Sequence, residues 1–371
     1  MRLSPMLAGA AGWLATIALV SCGGGGSSMS TTPTMAASGY VSTHLISNVN
    51  TANDPYSTAN VDPRLVNSWG IAFNPTAFVW VANNGSATAT LYDGDGVRQP
   101  LVVTIPAGAS GSANPTGIVF NPTQSFAVTQ NGVTAPAMFI FVGTGGTVSA
   151  WSPTVNANSA VVVVDRNAEG KSYTGLAIAS AGGAPRLYAA DFHNGVVDVY
   201  DGNFAPVVNA GAFTDPQLPA GYAPFGIQAI GNQIIVAYAK QDAQAARSVF
   251  GAGLGAVDVF DTAGNLTARL VAAGGKLNAP WGIALAPANF GTFSSDLLIG
   301  NLGDGTINAY DPATGAWLGA LADGNGTPIA IDGLWGIAFG NGINDQPTNT
   351  LFYAAGPNNE TEGVYGRIDF H

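Results

Sequence analysis

Cysteine, histidine, glutamate and charged residues in general are scarce in this sequence. A single cysteine in 371 residues excludes a disulfide framework. Charged residues make up 9% of the chain, and acidic residues outnumber basic ones by 22 to 11, which gives a net charge of −11. Such a chain offers no basic surface to nucleic acid, and charge alone does not bind it to an anionic membrane. The 3 histidines form no cluster of the kind that binds a transition metal.

Glycine and proline are abundant, with 50 and 22 residues. Turns need these residues, whereas helices need charged and Ala/Leu-rich stretches, which are scarce here. A short motif, in which Gly and apolar residues follow an aromatic residue or Thr, recurs six times with its glycines 47 to 58 residues apart. The copies lie at 69–73, 116–120, 174–178, 225–229, 281–285 and 335–339. A period of about fifty residues is typical of propeller blades, so we predict an all-β, six-bladed β-propeller.

Apolar alternation predicts four strands in a blade, which we call A to D from the channel outwards, with the motif in strand A. A strand D follows five of the six C strands, but the chain reaches His371 before the sixth. The segment Tyr40–Ser47 has strand alternation and no blade of its own. We therefore predict that this N-terminal strand completes the last blade and closes the ring, which leaves no sheet edge exposed.

Four predicted C strands end in an aromatic residue that is followed by Asp, with Gly close behind. These acidic residues are Asp93, Asp201, Asp261 and Asp311. Asp in a tight turn accepts hydrogen bonds from backbone N–H groups two residues on, and Gly supplies positive φ. We therefore predict a turn role for these carboxylates rather than a catalytic one.

The first 39 residues are typical of targeting and linker sequence. Residues 1–21 have a basic start and a short apolar stretch, and Leu-Val-Ser-Cys at 19–22 resembles the bacterial lipobox. We expect a lipoprotein signal peptide at 1–21, lipidation at Cys22, a flexible Gly/Ser/Thr tether at 22–39 and one propeller domain at 40–371. The protein would then be an exported monomer, anchored by lipid in the cell envelope, at the outer membrane of a Gram-negative bacterium. An ordinary signal peptide, with Cys22 removed, is the alternative.

The segment at 187–201 resembles the NHL repeat. Over almost its whole length the chain also resembles an uncharacterised family of secreted bacterial NHL-like propellers. The segments that carry this resemblance are 62–72, 213–225, 238–242, 300–308 and 333–336. The resemblance implies the propeller fold and leaves the function open.

The start of strand A and the end of strand B meet at one end of the channel, because the two strands are antiparallel. Polar and aromatic residues collect there, on loops held by a rigid scaffold, where binding residues concentrate. The predicted ligand-binding residues are Asn67, Trp69, Asn83, Asp191, His193, Lys240, Asp242, Trp281, Asn301, Asp304 and Trp335. For the three tryptophans, packing between blades is the alternative. The insertion at 240–255 is expected to project over this end as a lid or a pocket wall.

Aromatic and amide groups dominate this set, without an assembled acid, base and nucleophile. We therefore expect a binding or scaffold module without a cofactor, whose ligand is a glycan, a peptide or an envelope protein. The alternative is a metal-dependent lyase or lactonase with its site at the same channel mouth.

The enzyme alternative comes from similarity to known propeller enzymes. Lactonases of the gluconolactonase type hold calcium with Glu, Asn and Asp, yet no Glu begins a predicted strand A here. Virginiamycin-type lyases use a His base and Mg²⁺, and the catalytic candidates on this pattern are His193 and Asp191, with Glu360 nearby. The candidates for holding a Ca or Mg ion are Asp191, Asn301 and Asp304.

Overall fold

The computed structural model describes residues 38–208 and 211–371. The predicted signal peptide, Cys22 and most of the predicted tether lie outside these residues, so export and lipidation stay predictions. In the part of the chain that is described, no helix has the length and apolar character needed to cross a membrane.

Six small antiparallel sheets form the blades of the propeller. The strand β1 (Tyr40–Ser47) is followed by blade one, which contains β2 (Ser68–Phe73), β3 (Val79–Asn83), β4 (Thr88–Tyr92) and β5 (Arg98–Thr104). Blade two begins with β6 (Pro115–Phe120). A separate hairpin of β7 (Ala127–Gln130) and β8 (Val133–Pro136) follows. Blade two is then completed by β9 (Phe139–Gly143), β10 (Thr147–Trp151) and β11 (Val161–Asp165). Blade three contains β12 (Tyr173–Ala181), β13 (Ala184–Asp191) and β14 (Val196–Asp201).

The second half of the chain builds the remaining three blades. Blade four contains β15 (Tyr222–Ile230), β16 (Gln233–Lys240), β17 (Gly255–Asp261) and β18 (Leu266–Val271). Blade five contains β19 (Pro280–Leu285), β20 (Leu297–Asn301), β21 (Ile307–Tyr310) and β22 (Trp317–Ala320). Blade six contains β23 (Leu334–Phe339), β24 (Leu351–Ala355) and β25 (Val364–Phe370). Short helical segments are limited to Asn167–Glu169, Gly291–Phe293 and Pro357–Glu360 within the described ranges.

The predicted closure by the N-terminal strand is confirmed. In the last blade β1 pairs antiparallel with β25, from Tyr40 opposite Phe370 to Ser47 opposite Val364, with a bulge between His44 and Ile46. The tyrosine is 2% exposed and its hydroxyl donates to the carbonyl of Phe290 at 2.8 Å. Strand pairing between the two ends of the domain therefore holds the ring closed.

Blade three differs from the predicted pattern. The prediction gave it a strand D, but its sheet has three strands among the described residues. Only an isolated bridge between Tyr200 and Pro206 continues the sheet outwards. The hydrogen bonds of this bridge are donated by the N–H groups of Asp201 and Val207, so the bridge does not need an N–H from Pro206.

The glycine of the repeated motif lies where neighbouring blades come closest. A methyl group on Gly226 would lie 2.0 Å from the carbonyl oxygen of Trp281 in the next blade. Across the closure, a methyl group on Gly336 would lie 2.5 Å from the carbonyl oxygen of Trp69. At every one of the six positions such a methyl group would lie within 3.1 Å of the innermost strand of the neighbouring blade. The motif glycine is therefore required by the close approach of backbones around the channel.

The predicted turn role of the aspartates after the C strands is confirmed. Asp93 Oδ1 accepts hydrogen bonds from the N–H groups of Asp95 at 3.0 Å and Val97 at 2.8 Å. The same pattern recurs at Asp201, Asp261 and Asp311.

Candidate functional site

The starts of the A strands and the loops after the B strands surround a cavity of about 360 Å³ at one end of the channel. We call this end the polar mouth. Its lining residues are Trp69, Asn84, Asn114, Thr144, Ser172, Thr174, Phe192, Phe225, Ala246, Arg247, Ser248, Phe250, Leu302, Trp335 and Glu360. All six blades contribute, and the volume lies in the range of roughly 300–1,000 Å³ that is usual for small-molecule sites.

The three predicted tryptophans meet at the base of the polar mouth. Trp69 and Trp335 stack with their ring centres 3.4 Å apart, and Trp281 stands perpendicular to Trp335 at 5.7 Å. The indole N–H of Trp69 donates to Asn67 at 2.9 Å and that of Trp281 donates to the Thr174 carbonyl at 2.9 Å. The buried indole N–H of Trp335 has no acceptor among the described residues. The tryptophans therefore pack against each other, and two of them also line the cavity.

Three predicted site residues, Asn83, Asp191 and Asn301, end the B strands β3, β13 and β20 and are 0% exposed. Asp191 accepts a hydrogen bond from the Ser172 N–H at 3.1 Å. Asn83 and Asn301 bond to the loops and strands that follow them. None of these three side chains lines the cavity, and each fastens its own blade.

The buried carboxylate of Asp191 is compensated by Lys171, which sequence analysis missed. The Lys171 ammonium lies 3.1 Å from Asp191 and 2.9 Å from Asp198. Burial lowers the pKa of Lys171, but hydrogen bonds to the two carboxylates raise it by more, so the lysine stays charged. Tyr173, at the start of β12, donates its hydroxyl to Asp198 at 2.7 Å. The available signal in the sequence was the position of Lys171, two residues before the start of β12. A buried carboxylate such as that of Asp191 needs a nearby cation, and this lysine could have been proposed as its partner.

The insertion between β16 and β17, residues 241–254, forms one wall of the polar mouth; we call it the blade-four loop. On one side the His193 ring donates from Nδ1 to the Ala245 carbonyl at 3.1 Å. On the other side the Gly251 N–H donates to Asn278 at 2.7 Å. Contacts on both sides identify a fixed wall rather than a lid.

Three further predicted residues, Lys240, Asp242 and Asp304, lie outside the cavity lining. The Lys240 ammonium stands 5.4 Å from the centre of the Tyr222 ring. Asp242 accepts a hydrogen bond from the Ala246 N–H at 2.8 Å, and this bond is the main reason why the pKa of Asp242 is lowered. Asp304 accepts hydrogen bonds from neighbouring amide and hydroxyl groups.

The turn Pro357–Glu360 brings an unusual backbone to the polar mouth. Three consecutive residues, Asn358, Asn359 and Glu360, have positive φ values of 54°, 54° and 66°. Asn tolerates this left-handed conformation, whereas Glu does so only at a cost of order 1–3 kcal/mol, and such residues cluster at functional sites. The Glu360 carboxylate accepts a hydrogen bond from Asn67 at 3.3 Å and lines the cavity.

The metal and catalytic candidates do not converge. Within residues 38–208 and 211–371 no group of three or more His, Cys, Asp or Glu side chains is placed to hold a metal ion. Asn301 donates to Asp304 at 3.3 Å, but Asp191 lies in blade three and pairs with lysine. His193 faces a backbone carbonyl instead of the Asp191 carboxylate.

Sequence analysis also missed the exposed residues of the cavity. Arg247 and Phe250 lie on the blade-four loop, and the Phe250 ring is 55% exposed. Asn114 and Thr144 line the cavity from blade two. The available signal in the sequence was a cation, Arg247, and an aromatic residue, Phe250, in the longest insertion into the repeat, which is the blade-four loop.

The fold and this mouth define a six-bladed β-propeller with a small polar cavity at one end of its channel. No protein-family model matches the chain. An uncharacterised protein of Acanthamoeba polyphaga mimivirus is 33% identical over 323 residues, which cover 85% of this chain and 78% of that protein. A second protein of the same virus is 30% identical over 345 residues, 91% of this chain and 87% of that protein. The chain therefore belongs to the family of these uncharacterised viral proteins.

The assignment to a bacterial family is corrected by these relatives. The segments that carried the resemblance include motif glycines such as Gly70 and Gly336 and turn residues such as Asp215 and Asp304, and the structure shows that ring packing and turns require them. Such features recur wherever this architecture occurs, so they identify the fold and not the lineage.

Solved structures support the fold alone. A protein of unknown function from Bacteroides thetaiotaomicron aligns with a TM-score of 0.54 at 12% identity, over 90% of this chain and 76% of that one. The apo form of the soluble aldose sugar dehydrogenase of Escherichia coli aligns with a TM-score of 0.51 at 13% identity, over 89% of this chain and 99% of that one.

Proposed function

We propose that this propeller is a binding module that takes a glycan of one or two sugar units at the polar mouth. The observation that carries the proposal is the exposed Phe250 ring on the wall of a 360 Å³ cavity whose lining also combines buried aromatic rings with amides, hydroxyls and one charge of each sign. A sugar presents apolar C–H faces and a rim of hydroxyl groups, and this cavity offers a partner to each. Small-molecule sites commonly combine aromatic walls with a few fixed polar groups.

The polar groups are suited to hydroxyl recognition. Asn84 and Thr144 belong to loops after B strands of adjacent blades, and Arg247 and Glu360 supply one charge of each sign. An uncharged ligand with many donors and acceptors satisfies such a set better than an ion of either sign does. Trp335 adds a buried N–H that has no acceptor in the described structure.

The backbone at this end also supports the proposal. The left-handed residues Asn358–Glu360 hold the carboxylate of Glu360 at the cavity. Strained conformations of this kind persist where the surrounding structure fixes a functional group. The blade-four loop is bonded on both sides, so the wall exists before a ligand binds and little ordering cost is added on binding.

A glycan array with the wild-type protein and the Phe250→Ala variant tests the proposal. We expect at least one glycan class to bind the wild type, and the variant to lose about tenfold or more in affinity, because the loss of a stacking ring removes roughly 1–2 kcal/mol. The matched control is Leu318→Ala, since Leu318 is 46% exposed on β22, the outermost strand of blade five. Absence of glycan binding, equal binding by Phe250→Ala, or turnover of a lactone or lyase substrate would each overturn it.

A further inference from the structure

The other end of the channel holds a second cavity, of about 410 Å³. Its wall is made by Ile230 and by the last residues of the six motif copies, at 71–73, 118–120, 177–178, 228–229, 283–285 and 337–339. We call this cavity the apolar vestibule. Between it and the polar mouth the channel narrows to a space of about 40 Å³ beside the motif glycines. A narrow part of the channel therefore separates the vestibule from the polar mouth.

One polar side chain interrupts the apolar wall. Gln228 occupies the fourth of the five positions of its motif copy, where the other five copies have Ala or Val. It is exposed, and its side-chain amide makes no hydrogen bond to the described residues. Every other lining side chain is aliphatic or phenyl, and none is charged. The amide is therefore the one polar side chain of the wall, beside the backbone edges of the innermost strands, which also face this space.

The apolar side chains of the wall are left only partly covered. Phe73, Phe120 and Phe339 are half-buried, and Leu285 is 43% exposed. Partly covered rings and aliphatic chains around one opening favour a ligand that completes their burial.

The surroundings favour a small molecule over a protein partner. The C–D turns come to this same end of the blades, because C strands run in the direction of A strands. Four of these turns carry Asp93, Asp201, Asp261 and Asp311. Arg186 lies opposite Asp201 and Arg367 lies 3.7 Å from Asp95, so acidic and basic residues both surround the recess at this end. An anionic ligand would meet no cation among the lining side chains.

We propose that the apolar vestibule binds a neutral, mainly apolar small molecule that carries one carbonyl or hydroxyl group, with its oxygen bonded to the Gln228 amide. Medium-chain ketones, alcohols and esters belong to this class. The site is separate from the polar mouth, and it does not depend on what binds there.

The test is calorimetric titration of the whole chain with 2-nonanone, 1-nonanol and nonanoate. We expect the two neutral probes to bind with one site, and nonanoate to bind at least tenfold more weakly. The Gln228→Leu variant should bind 2-nonanone about three- to tenfold more weakly, because one neutral hydrogen bond is lost while the volume is kept. Ala338→Phe, which fills the vestibule, should abolish binding, and Phe250→Ala at the opposite end should leave it unchanged.

Several outcomes would overturn the proposal. These are failure of both neutral probes to bind, equal affinity of wild type and Gln228→Leu for 2-nonanone, and tighter binding of nonanoate. A second copy of the chain as the occupant would appear as a dimer in sedimentation that Ala338→Phe dissociates, together with absence of probe binding.

Discussion

The two ends of the central channel are built from the same six strands but are lined by different chemistry. At the apolar vestibule the last residues of the motif copies repeat almost unchanged, and Gln228 is the one polar departure. At the polar mouth the lining comes from loops that differ from blade to blade, including the blade-four loop. Repetition along the strands therefore builds a uniform apolar wall, and the irregular loops supply the polar groups.

The largest expected effect comes from removing the tryptophan that lies between the two ends. Trp335 is 1% exposed and stacks on Trp69. We expect Trp335→Ala to lower the free energy of unfolding by about 3–5 kcal/mol, because it leaves a large cavity at the channel axis. Chemical denaturation measures this loss. A loss below about 1 kcal/mol would mean that the tryptophans do not hold the ring together.

The next effect tests whether the close approach of neighbouring blades around the channel stabilises the fold. A methyl group at Gly226 would lie 2.0 Å from the Trp281 carbonyl oxygen, so we expect Gly226→Ala to cost about 1–3 kcal/mol or more. The matched control is Gly275→Ala, where the nearest atom, the Ala272 oxygen, is 4.0 Å away. Equal melting temperatures for the two variants would contradict the packing role of the motif glycine.

A pH-dependent effect concerns a carboxylate in the body of blade four, which lies in neither cavity. Asp258 is 2% exposed, and its Oδ2 atom has no partner among the described residues. Burial, and then the charge of Asp215, raise the pKa of Asp258 to about 7, although Arg269 opposes the shift. Because this lies above the unfolded value of about 3.9, the stability contributed by the neutral form is complete below about pH 4 and is lost as the pH rises through 7.

The Asp258→Asn variant tests this pH dependence. We expect wild type and variant to have similar stability at pH 4, and the variant to be more stable by about 3–4 kcal/mol at pH 8, because a shift of about three pKa units corresponds to roughly 4 kcal/mol. Denaturation at both pH values provides the measurement. Parallel pH profiles for the two proteins would show that Asp258 does not titrate in this range.

Features that depend on local pattern were predictable from the sequence. The six blades, the closing strand Tyr40–Ser47 and the turn role of the aspartates follow from alternation, period and turn chemistry. The missing strand D of blade three was not predicted, because the apolar run around Pro206 has the alternation of a strand.

The candidate site was less predictable because it depends on contacts between distant segments. Asp191 was selected as a rare charge at a strand end, but its ion pair with Lys171 could not be derived from alternation. The vestibule was missed for another reason. Each motif copy was interpreted only as a feature of the fold. Gln228, which stands where the other copies have a small apolar residue, was therefore not considered as a possible ligand-binding residue.

The most direct test of the separation between the two ends is a crossed binding measurement. Phe250→Ala and Gln228→Leu are each titrated with the best glycan from the array and with 2-nonanone. We predict that Phe250→Ala weakens the glycan about tenfold and leaves the ketone unchanged, and that Gln228→Leu weakens the ketone and leaves the glycan unchanged. If either substitution weakens both ligands equally, the channel does not contain two independent sites.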